Sequence, residues 1–177
     1  MRRKDKSAVV HPVASFQLPS DQALLAAVGT VAIAHGHLEY ILRMTVKTLA
    51  GLSILEALDA TNFTSMRDVR SEVRKLFGQL TKERSLCLKL EALLERARKE
   101  SEQRNQLLHR PWAVDSENNW LMKDEYHHWG PLPDRQQFLE LADRIYNLIH
   151  DINEARLHGF ISDVAKLRNS PKTDQGN

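Results

Sequence analysis

The chain has 177 residues, of which 42% are hydrophobic and 27% are charged, and its formal net charge is only +2. This is the composition of a globular protein, and the length is typical of one domain. The small net charge excludes a strong overall field for nucleic acid, so any contact with phosphate must come from a local basic patch. The single cysteine, Cys87, excludes an internal disulfide and a zinc site built from several cysteines.

The N-terminal sequence and the hydropathy predict a cytoplasmic protein that does not contact a membrane. The N-terminus, M-R-R-K-D-K-S-A-V-V-H-P, is charged and lacks the apolar core of a secretory signal. No run approaches the roughly 20 uninterrupted apolar residues that span a bilayer.

The scarcity of helix-breaking residues predicts a helical fold. Only 7 Gly and 6 Pro are present, which favours long helices over a turn-rich β fold. We expect residues 1–18 to form an N-terminal arm, residues 19–168 a single helical bundle domain, and residues 169–177 a disordered tail. The arm carries basic residues that would also suit contact with phosphate.

The first helix is predicted to begin after Ser20 as its N-cap and to end before Gly51. Its apolar residues recur at spacings near three and four, as in a helix that packs in a bundle. His35 occupies the one polar slot in this stripe. The stripe consists of Leu24, Val28, Val31, Leu38, Leu42, Val46 and Leu49.

Two more helices are predicted in the middle of the chain. One begins after the N-cap Ser65 and ends near Leu80, and the next extends from about Glu83 to His109. The line that we take as the buried face of the latter consists of Leu86, Leu90, Leu93, Ala97, Glu100, Arg104 and Leu107. The pattern therefore points the charge of Arg104 toward the interior.

Residues 112–133 lack the helical spacing of apolar residues found in the other segments. Two short apolar runs flank a polar turn, which predicts a β-hairpin followed by a proline-rich loop. Asp134 is predicted to cap a fourth long helix that ends near Ala165. Its apolar face is wider than one neighbour would cover, which indicates a partner subunit, and the residues that widen it are Leu139, Ala142, Tyr146 and Ile149. The fold class is therefore all-α: an up-down bundle of four long helices, with a short β-hairpin or loop insertion between the third and the fourth.

The segment Ser101–Trp112, S-E-Q-R-N-Q-L-L-H-R-P-W, holds the strongest candidate site. Arg104, Asn105 and His109 lie near the end of the third helix, before Pro111, whose ring should end that helix. An arginine, an amide and a histidine are the groups that a small RNA-cleaving site needs.

Arg104 needs a partner if it faces the interior, because burying a lone guanidinium costs several kcal/mol. Glu39, one turn after His35 on the first helix, is the expected partner, and His35 would complete the cluster. Glu39 also lies four residues before Arg43, so it would equally suit a local ion pair. A buried ion pair that fixes the helix register would account for Arg104 without any catalytic role.

His109 is not explained by such an ion pair. At about 100° per residue it lies roughly 140° around the helix from Arg104, so one straight helix cannot aim both side chains at one point. Two arrangements would bring them together: Pro111 distorts the last turn, or two subunits place two copies of the segment across a twofold axis. The sequence is compatible with both arrangements.

The pattern Arg104-Asn105-x-x-x-His109, late in a helix of a predicted bundle, resembles the motif of the HEPN family. That motif is an arginine, a polar residue directly after it, and a histidine four to six residues beyond the arginine. The flanking L-L-H-R-P-W and the early A-H-G-H-L-E-Y-I-L-R look like the sequences of small stand-alone bacterial members.

The resemblance implies a homodimeric, metal-independent endoribonuclease that uses no cofactor. His109 would be the general base at the ribose 2′-hydroxyl, Arg104 would steady the scissile phosphate, and Asn105 would orient the pair. Cleavage would leave a 2′,3′-cyclic phosphate. Many members are toxins or antiviral effectors that a neighbouring antitoxin protein controls, whereas others bind nucleotides or have lost activity.

Several histidines offer alternative sites. His35 and Glu39, with His37 beside them, have a spacing that would suit a metal ion together with His109. No neighbouring carboxylate completes a known metal motif, so we expect no metal and favour a core role for His35 in support of the site. The pair His127–His128 lies in a predicted loop, where adjacent side chains point apart, and this favours a surface position.

Two further groups are weak candidates for RNA binding. Trp112 lies next to the proposed site and would suit stacking on a base, although the tryptophans of this region also suit capping the open end of the bundle. Arg67, Arg70 and Arg74 form a basic ridge on the second helix that would follow phosphates. A solvated helix face neutralised by neighbouring acidic residues is the alternative explanation.

Three hypotheses follow for the function. The first is an RNA-cleaving protein, and the second is a non-catalytic HEPN-like module that binds a nucleotide, a nucleic acid or a protein partner. The third is a structural or regulatory protein in which the motif is accidental. Catalysis predicts that Arg104 and His109 share a solvent-reachable cleft, whereas the module allows an exposed His109 with Arg104 sealed in an ion pair.

Overall fold

The structure, a computed structural model, describes residues 18–62 and 64–169 of the chain. The described residues are mostly helical and include a small antiparallel sheet. Their helices are α1 (Gln22–Ala50), α2 (Ile54–Ala60), α3 (Met66–Leu80), α4 (Arg84–Leu108), α5 (Arg135–Leu157) and α6 (Phe160–Lys166), followed by a 3-10 turn at Leu167–Asn169. Their strands are β1 (Trp112–Val114), β2 (Trp120–Lys123) and β3 (Trp129–Pro131). The predicted arm and tail lie outside the described residues, apart from Leu18 and Asn169 at their edges.

Polar side chains cap the N-termini of three long helices, α1, α3 and α5. Asp21, one residue after the predicted cap Ser20, is the N-cap of α1, because its side chain accepts hydrogen bonds from backbone N–H groups of the first turn. Ser65 and Asp134 cap α3 and α5, as predicted. Asp134 also exchanges hydrogen bonds of 2.9 Å with Gln137 in a capping box.

Helix α1 forms the centre of the core and packs against α3, α4, α5 and α6. Its predicted apolar stripe is buried except at Val28, which is half-buried. His35 in the polar slot of this stripe is only 4% exposed. The period of the sequence therefore located the buried face of α1 correctly.

The centre of the predicted buried line of α4 is rotated by roughly 60° from that of the true buried face. Leu90 and Ala97 of the predicted line are buried, whereas its other leucines are partly buried and pack against the core. Arg104 is half-buried and lies at the edge of the true buried face. That face consists of Leu90, Leu94, Ala97 and Ser101. Leucines lie on both lines, so the sequence did not separate the two registers, and the polar Ser101 concealed the last position of the true one.

The predicted fourth long helix consists of two helices, because the chain turns at Gly159 between α5 and α6. A Cβ atom at Gly159 would lie 3.2 Å from the Cα atom of Ala155, so the close approach of the turn to α5 suits a residue without a side chain. After the turn, α6 packs against α1, α3 and α5. Burial of its apolar side chains explains why the chain does not continue straight.

The wide apolar face of α5 is covered in part by its own chain. Ala142 is buried, and Leu139 and Ile149 pack against the core while keeping part of their surface exposed. Tyr146 is exposed and lies beside His37, with 6.2 Å between the ring centroids. The width of this face therefore does not by itself require a second subunit.

The expected loop after the hairpin contains a third strand. The sheet has the order β1–β2–β3, and both strand pairs are antiparallel. Because β3 is an edge strand, it tolerates Pro131, and the proline-rich sequence therefore concealed it. The sheet begins directly after α4, where the backbone N–H of Lys123 donates to the Pro111 carbonyl at 3.0 Å. It thus fixes the chain just beyond the candidate segment.

By length and composition alone, α1 is apolar enough to cross a membrane, although its sequence has no uninterrupted apolar run of that length. The same properties are found in the central helix of a packed core. In this structure α1 packs against the five other helices of the described residues, and His35 and Glu39 lie at its middle. We therefore interpret α1 as a core helix.

Gly51 ends α1 in the left-handed conformation, with φ of 72°. The guanidinium of Arg168 lies where a Cβ atom at Gly51 would be. It donates hydrogen bonds to the carbonyls of Thr48 and Leu49, at 3.2 and 3.1 Å, which the helix itself leaves without partners. Glycine is therefore required at this position by the backbone conformation and by this contact.

We expect Gly51→Ala to lower the free energy of unfolding by about 1 kcal/mol or more, because alanine disfavours positive φ and its methyl group would displace Arg168. The same substitution at Gly29, inside α1 with no neighbour within 4 Å of a Cβ atom, should raise it by about 0.5–1 kcal/mol. Urea denaturation measures both. Equal effects at the two glycines would contradict the analysis of the helix end.

Candidate functional site

The end of α4 is fixed by proline and by a tryptophan. Pro111 follows the helix closely, and His109 occupies the C-cap position with φ of −104° and ψ of −7°. The indole N–H of Trp112 donates to the Leu107 carbonyl at 3.1 Å, which satisfies one of the acceptors that the helix end leaves open. Its ring meets the edge of Phe138 at 5.9 Å between centroids. Trp112 thus has a structural role next to the candidate site.

Arg104, Asn105 and His109 meet within a single chain. The Nη1 atom of Arg104 lies 2.8 Å from Nε2 of His109 and 3.0 Å from Oδ1 of Asn105. The contact forms because His109 is at the cap, where the chain leaves the helix, and because the long arginine side chain reaches along the helix end. A second subunit is not needed to bring the arginine and the histidine together.

The contact also defines the protonation of His109 while it lasts. A guanidinium carries only hydrogen-bond donors, so Nε2 of His109 must be the acceptor. A neutral imidazole with its proton on Nδ1 meets this condition. His109 is exposed and Arg104 is half-buried, so solvent reaches the pair. The arrangement presents a base nitrogen beside a positive charge at the surface.

The expected ion pair between Arg104 and Glu39 is not formed. The carboxylate of Glu39 lies 3.4 Å from Nδ1 of His35 instead. Arg43, the local alternative partner of Glu39, donates to the backbone carbonyl of Thr61. Among the described residues, Arg104 has no carboxylate partner. The hypothesis of a sealed arginine–glutamate pair is therefore not supported.

His35 connects α1 to α4 through Ser101. Its Nε2 atom lies 3.2 Å from the Ser101 hydroxyl, which also lies 2.7 Å from the carbonyl of Ala97. The hydroxyl has one proton and donates it to only one of these acceptors at a time. Both side chains are buried, so this connection positions α4 one turn before Arg104. His35 therefore contacts α4 at Ser101 rather than at Arg104.

Ser101 is not among the residues that the sequence pattern singled out. A signal was present, because Ser101 lies at helical spacing after the buried residues Leu90, Leu94 and Ala97. Serine is mostly an exposed residue in proteins, so it is rarely predicted to be buried. The predicted buried face therefore included Arg104 rather than Ser101.

Charged groups from three helices surround His35. Its pKa is lowered from the usual value of 6.5, first by burial and then by the positive charge of Arg104. The carboxylate of Glu39 opposes this shift, whereas Arg70 and His109 add to it. Arg70 belongs to α3, so a charge outside the segment that the sequence singled out also lowers the pKa of His35.

The predicted basic ridge of α3 does not act as one surface. Arg67 is exposed, whereas Arg74 makes two hydrogen bonds to Glu91 of α4, at 2.6 and 2.9 Å. Arg70 is half-buried, and its charge acts on His35. The three arginines therefore have different environments.

The other histidine candidates lie apart from the site. His37 is beside Tyr146, and His127 and His128 are exposed in the turn between β2 and β3. Within residues 18–62 and 64–169, no group of three or more histidine, cysteine or acidic side chains has an arrangement that would hold a metal ion.

Comparisons of the chain with protein-family models, with curated proteins and with solved structures find no match. The fold and the site define a mostly helical protein that carries an arginine–histidine pair at an exposed helix end.

We expect the free energy of unfolding to fall as the pH is lowered through and below 6.5. The unfolded chain binds a proton at His35 with the usual pKa, and the folded chain binds it less readily, so acid favours unfolding. The slope contributed by one such group is at most about 1.4 kcal/mol per pH unit. Urea denaturation between pH 5 and pH 7.5 measures it.

The comparison is between wild type, His35→Gln and His150→Gln, the last of which changes an exposed histidine of α5. His35→Gln should reduce the pH dependence, and His150→Gln should retain it. An unchanged slope in His35→Gln would refute the assignment to His35.

Proposed function

We propose that this chain is a HEPN-type, metal-independent endoribonuclease with a toxin-like or defence-like role. The observation that carries the proposal is the 2.8 Å contact between Arg104 Nη1 and His109 Nε2. It pairs a group that binds phosphate with a group that accepts a proton, at a position that solvent reaches. Asn105, which the HEPN resemblance also implicates, accepts a hydrogen bond from the same Nη1 atom.

The proposed reaction needs only these side chains and the RNA. Arg104 would bind the non-bridging oxygens of the scissile phosphate and stabilise the charge that grows on them. Nε2 of His109 would take the proton of the 2′-hydroxyl, whose oxygen attacks the phosphorus. The bond to the 5′-oxygen breaks, that oxygen takes a proton from solvent, and a 2′,3′-cyclic phosphate remains.

The resting contact has a consequence for this mechanism. Nε2 of His109 is occupied by an Arg104 N–H, so the base becomes free only when the guanidinium turns to another acceptor. A phosphate is such an acceptor, and a charged hydrogen bond to it is stronger than one to a neutral imidazole. Substrate binding would therefore release the base. Asn105 would limit how far the guanidinium moves.

The proposed fold is an up-down bundle of four long helices formed by α1, α3, α4 and α5. Packing of α1 against the other three, and of α4 against α3 and α5, supports it. The short connection between α3 and α4 favours antiparallel neighbours. The candidate pair would then lie at one end of the bundle, as the HEPN resemblance implies.

We also propose that the protein works in the cytoplasm as a homodimer under the control of an antitoxin protein. Exposed apolar side chains on α1 and α5, namely Ile33, Tyr40 and Tyr146, would suit a contact between subunits. Because the arginine–histidine contact is complete in one chain, the dimer would serve to hold RNA between two such sites.

The alternative is a non-catalytic HEPN-like module that binds a nucleotide, a nucleic acid or a protein partner. It is favoured by the occupied state of His109 Nε2, since a base that stays bound to Arg104 accepts no proton from substrate. Under this alternative, Arg104 would bind an anion and His109 would only hold it in position.

We expect purified wild-type protein to cleave single-stranded RNA in the presence of EDTA and to leave cyclic phosphate ends. His109→Ala should lower the rate by about 10²–10⁴-fold, because the general base is lost. Arg104→Ala should lower it by about 10²–10³-fold, because the charge that stabilises the transition state is lost. Single-turnover cleavage of a labelled oligoribonucleotide measures these rates.

The matched control is His150→Ala, which removes an exposed histidine away from the cluster and should leave the rate unchanged. Circular dichroism and the mass in solution establish that each variant is folded and has the wild-type oligomeric state. Intact RNA after incubation with folded wild-type protein would leave the binding module as the better explanation.

A further inference from the structure

A mostly apolar pocket lies where the start of α1 meets the end of α4. Its volume is about 300 Å³, which is near the lower limit for ligand pockets in proteins and suits one ring system rather than a large molecule. The pocket is open to solvent, because most of its lining residues are only partly buried. The lining includes Pro19, Leu25, Val28, Leu108, Arg110 and Trp112.

The pocket lies beside the arginine–histidine pair. Leu108 and Arg110 of its lining directly precede and follow His109 in the sequence. Leu108 also follows Arg104 by four residues, so these two side chains are neighbours on one face of α4. The pocket therefore begins about one helical turn, roughly 5.4 Å along the axis, beyond the arginine of the candidate site.

The buried contact between His35 and Ser101 accounts for the position of the pocket. Val28 lies two turns before His35 on α1, and Leu108 lies two turns after Ser101 on α4. Both residues line the pocket, so the pocket continues the groove between α1 and α4 that begins at this contact. Arg104 lies between the contact and the pocket along α4. One buried contact therefore positions the arginine and the pocket together.

The lining of the pocket suits the face and edge of an aromatic ring. The indole N–H of Trp112 is already bonded to the Leu107 carbonyl, so Trp112 offers the pocket only aromatic carbon. Among the described residues that line the pocket, Arg110 alone is charged. Its guanidinium lies 3.8 Å from a carboxylate oxygen of Glu125, which is too far for a hydrogen bond. Indole rings and planar guanidiniums are the groups on which unpaired nucleic-acid bases stack.

We propose that this pocket binds one base of the RNA substrate, at a nucleotide adjoining the phosphate that Arg104 contacts. The inference rests on the proposed function for its ligand, and it adds a base-binding subsite to the reacting pair. A base is joined to its phosphate through a single ribose, so a phosphate at Arg104 leaves the base within reach of a pocket one turn away. The base would stack on Trp112, and Arg110 would donate to an acceptor on its edge.

The test separates contacts with bases from contacts with phosphates. One fluorescent probe is a 2′-O-methyl oligoribonucleotide, which is not cleaved because its 2′-oxygen is blocked. The other is an abasic oligomer with the same backbone and the same number of phosphates. Wild-type protein should bind the probe with bases about tenfold more tightly, the effect of one stacked base. The ratio of the two Kd values is the measured quantity.

Val28→Phe adds side-chain volume inside the pocket and should reduce this ratio to about twofold or less, because the base is excluded. Trp112→Leu should reduce it as well, because the stacking ring is lost. Both variants should keep the wild-type affinity for the abasic probe, which depends on the fold and on phosphate contacts alone. The matched control is Leu88→Phe, which enlarges an exposed side chain about 30 Å along α4 from Leu108 and should retain the ratio.

The outcomes distinguish this proposal from the proposed function. Equal affinity of the wild type for the two probes, or an unchanged ratio in Val28→Phe, would overturn the base pocket even if RNA is cleaved. A ratio that falls in both pocket variants while natural RNA stays intact would support the pocket and refute the ribonuclease. An unchanged ratio in Val28→Phe with a lower free energy of unfolding would assign the pocket to a segment of the chain itself, which also overturns the proposal.

Discussion

The candidate site depends on the contact between the buried imidazole of His35 and the hydroxyl of Ser101. The imidazole lies between Glu39 on its own helix and Ser101 on α4, at 3.4 and 3.2 Å. A polar ring this deeply buried is stable only when its nitrogens have partners. Meeting that requirement holds α4 against α1 one turn before Arg104. The position of the arginine therefore follows in part from a buried contact one turn before it on α4.

The buried polar side chains near the site have hydrogen-bond partners, whereas two half-buried arginines each have one donor without an acceptor in the part of the chain that the structure describes. His35 and Ser101 have partners, whereas Arg70 and Arg104 each retain an enclosed donor without an acceptor among the described residues. Unpaired charge of one sign lowers the stability of the fold, and it is common where a protein binds a ligand of the opposite sign. Glu95 and Glu102, whose charges act on the pKa of Arg70, both form ion pairs with Arg98.

Much of the local structure was predictable, because it depends on neighbours in the sequence. The caps Ser65 and Asp134, the left-handed Gly51 and the buried face of α1 all follow from short-range patterns. The burial of His35 followed from its place in an apolar stripe. Errors arose where one sequence pattern was compatible with two structures. The leucines of α4 were compatible with two rotations of the helix. The proline-rich segment predicted a loop, but an edge strand also tolerates proline.

By itself the sequence determined the four long helices α1, α3, α4 and α5 and where most of them begin. It also determined that an arginine, an amide and a histidine lie near the end of one of them. Tertiary structure decided how those groups meet. Two side chains that a straight helix would separate by roughly 140° are in contact, because His109 lies where the chain leaves the helix. Packing also decided the environment of Arg70, whose pKa is lowered first by burial and then by the charge of Arg98 on α4. Contacts between helices depend on the rotation of each helix about its axis, and the period of a sequence leaves that rotation uncertain wherever apolar residues lie on more than one line.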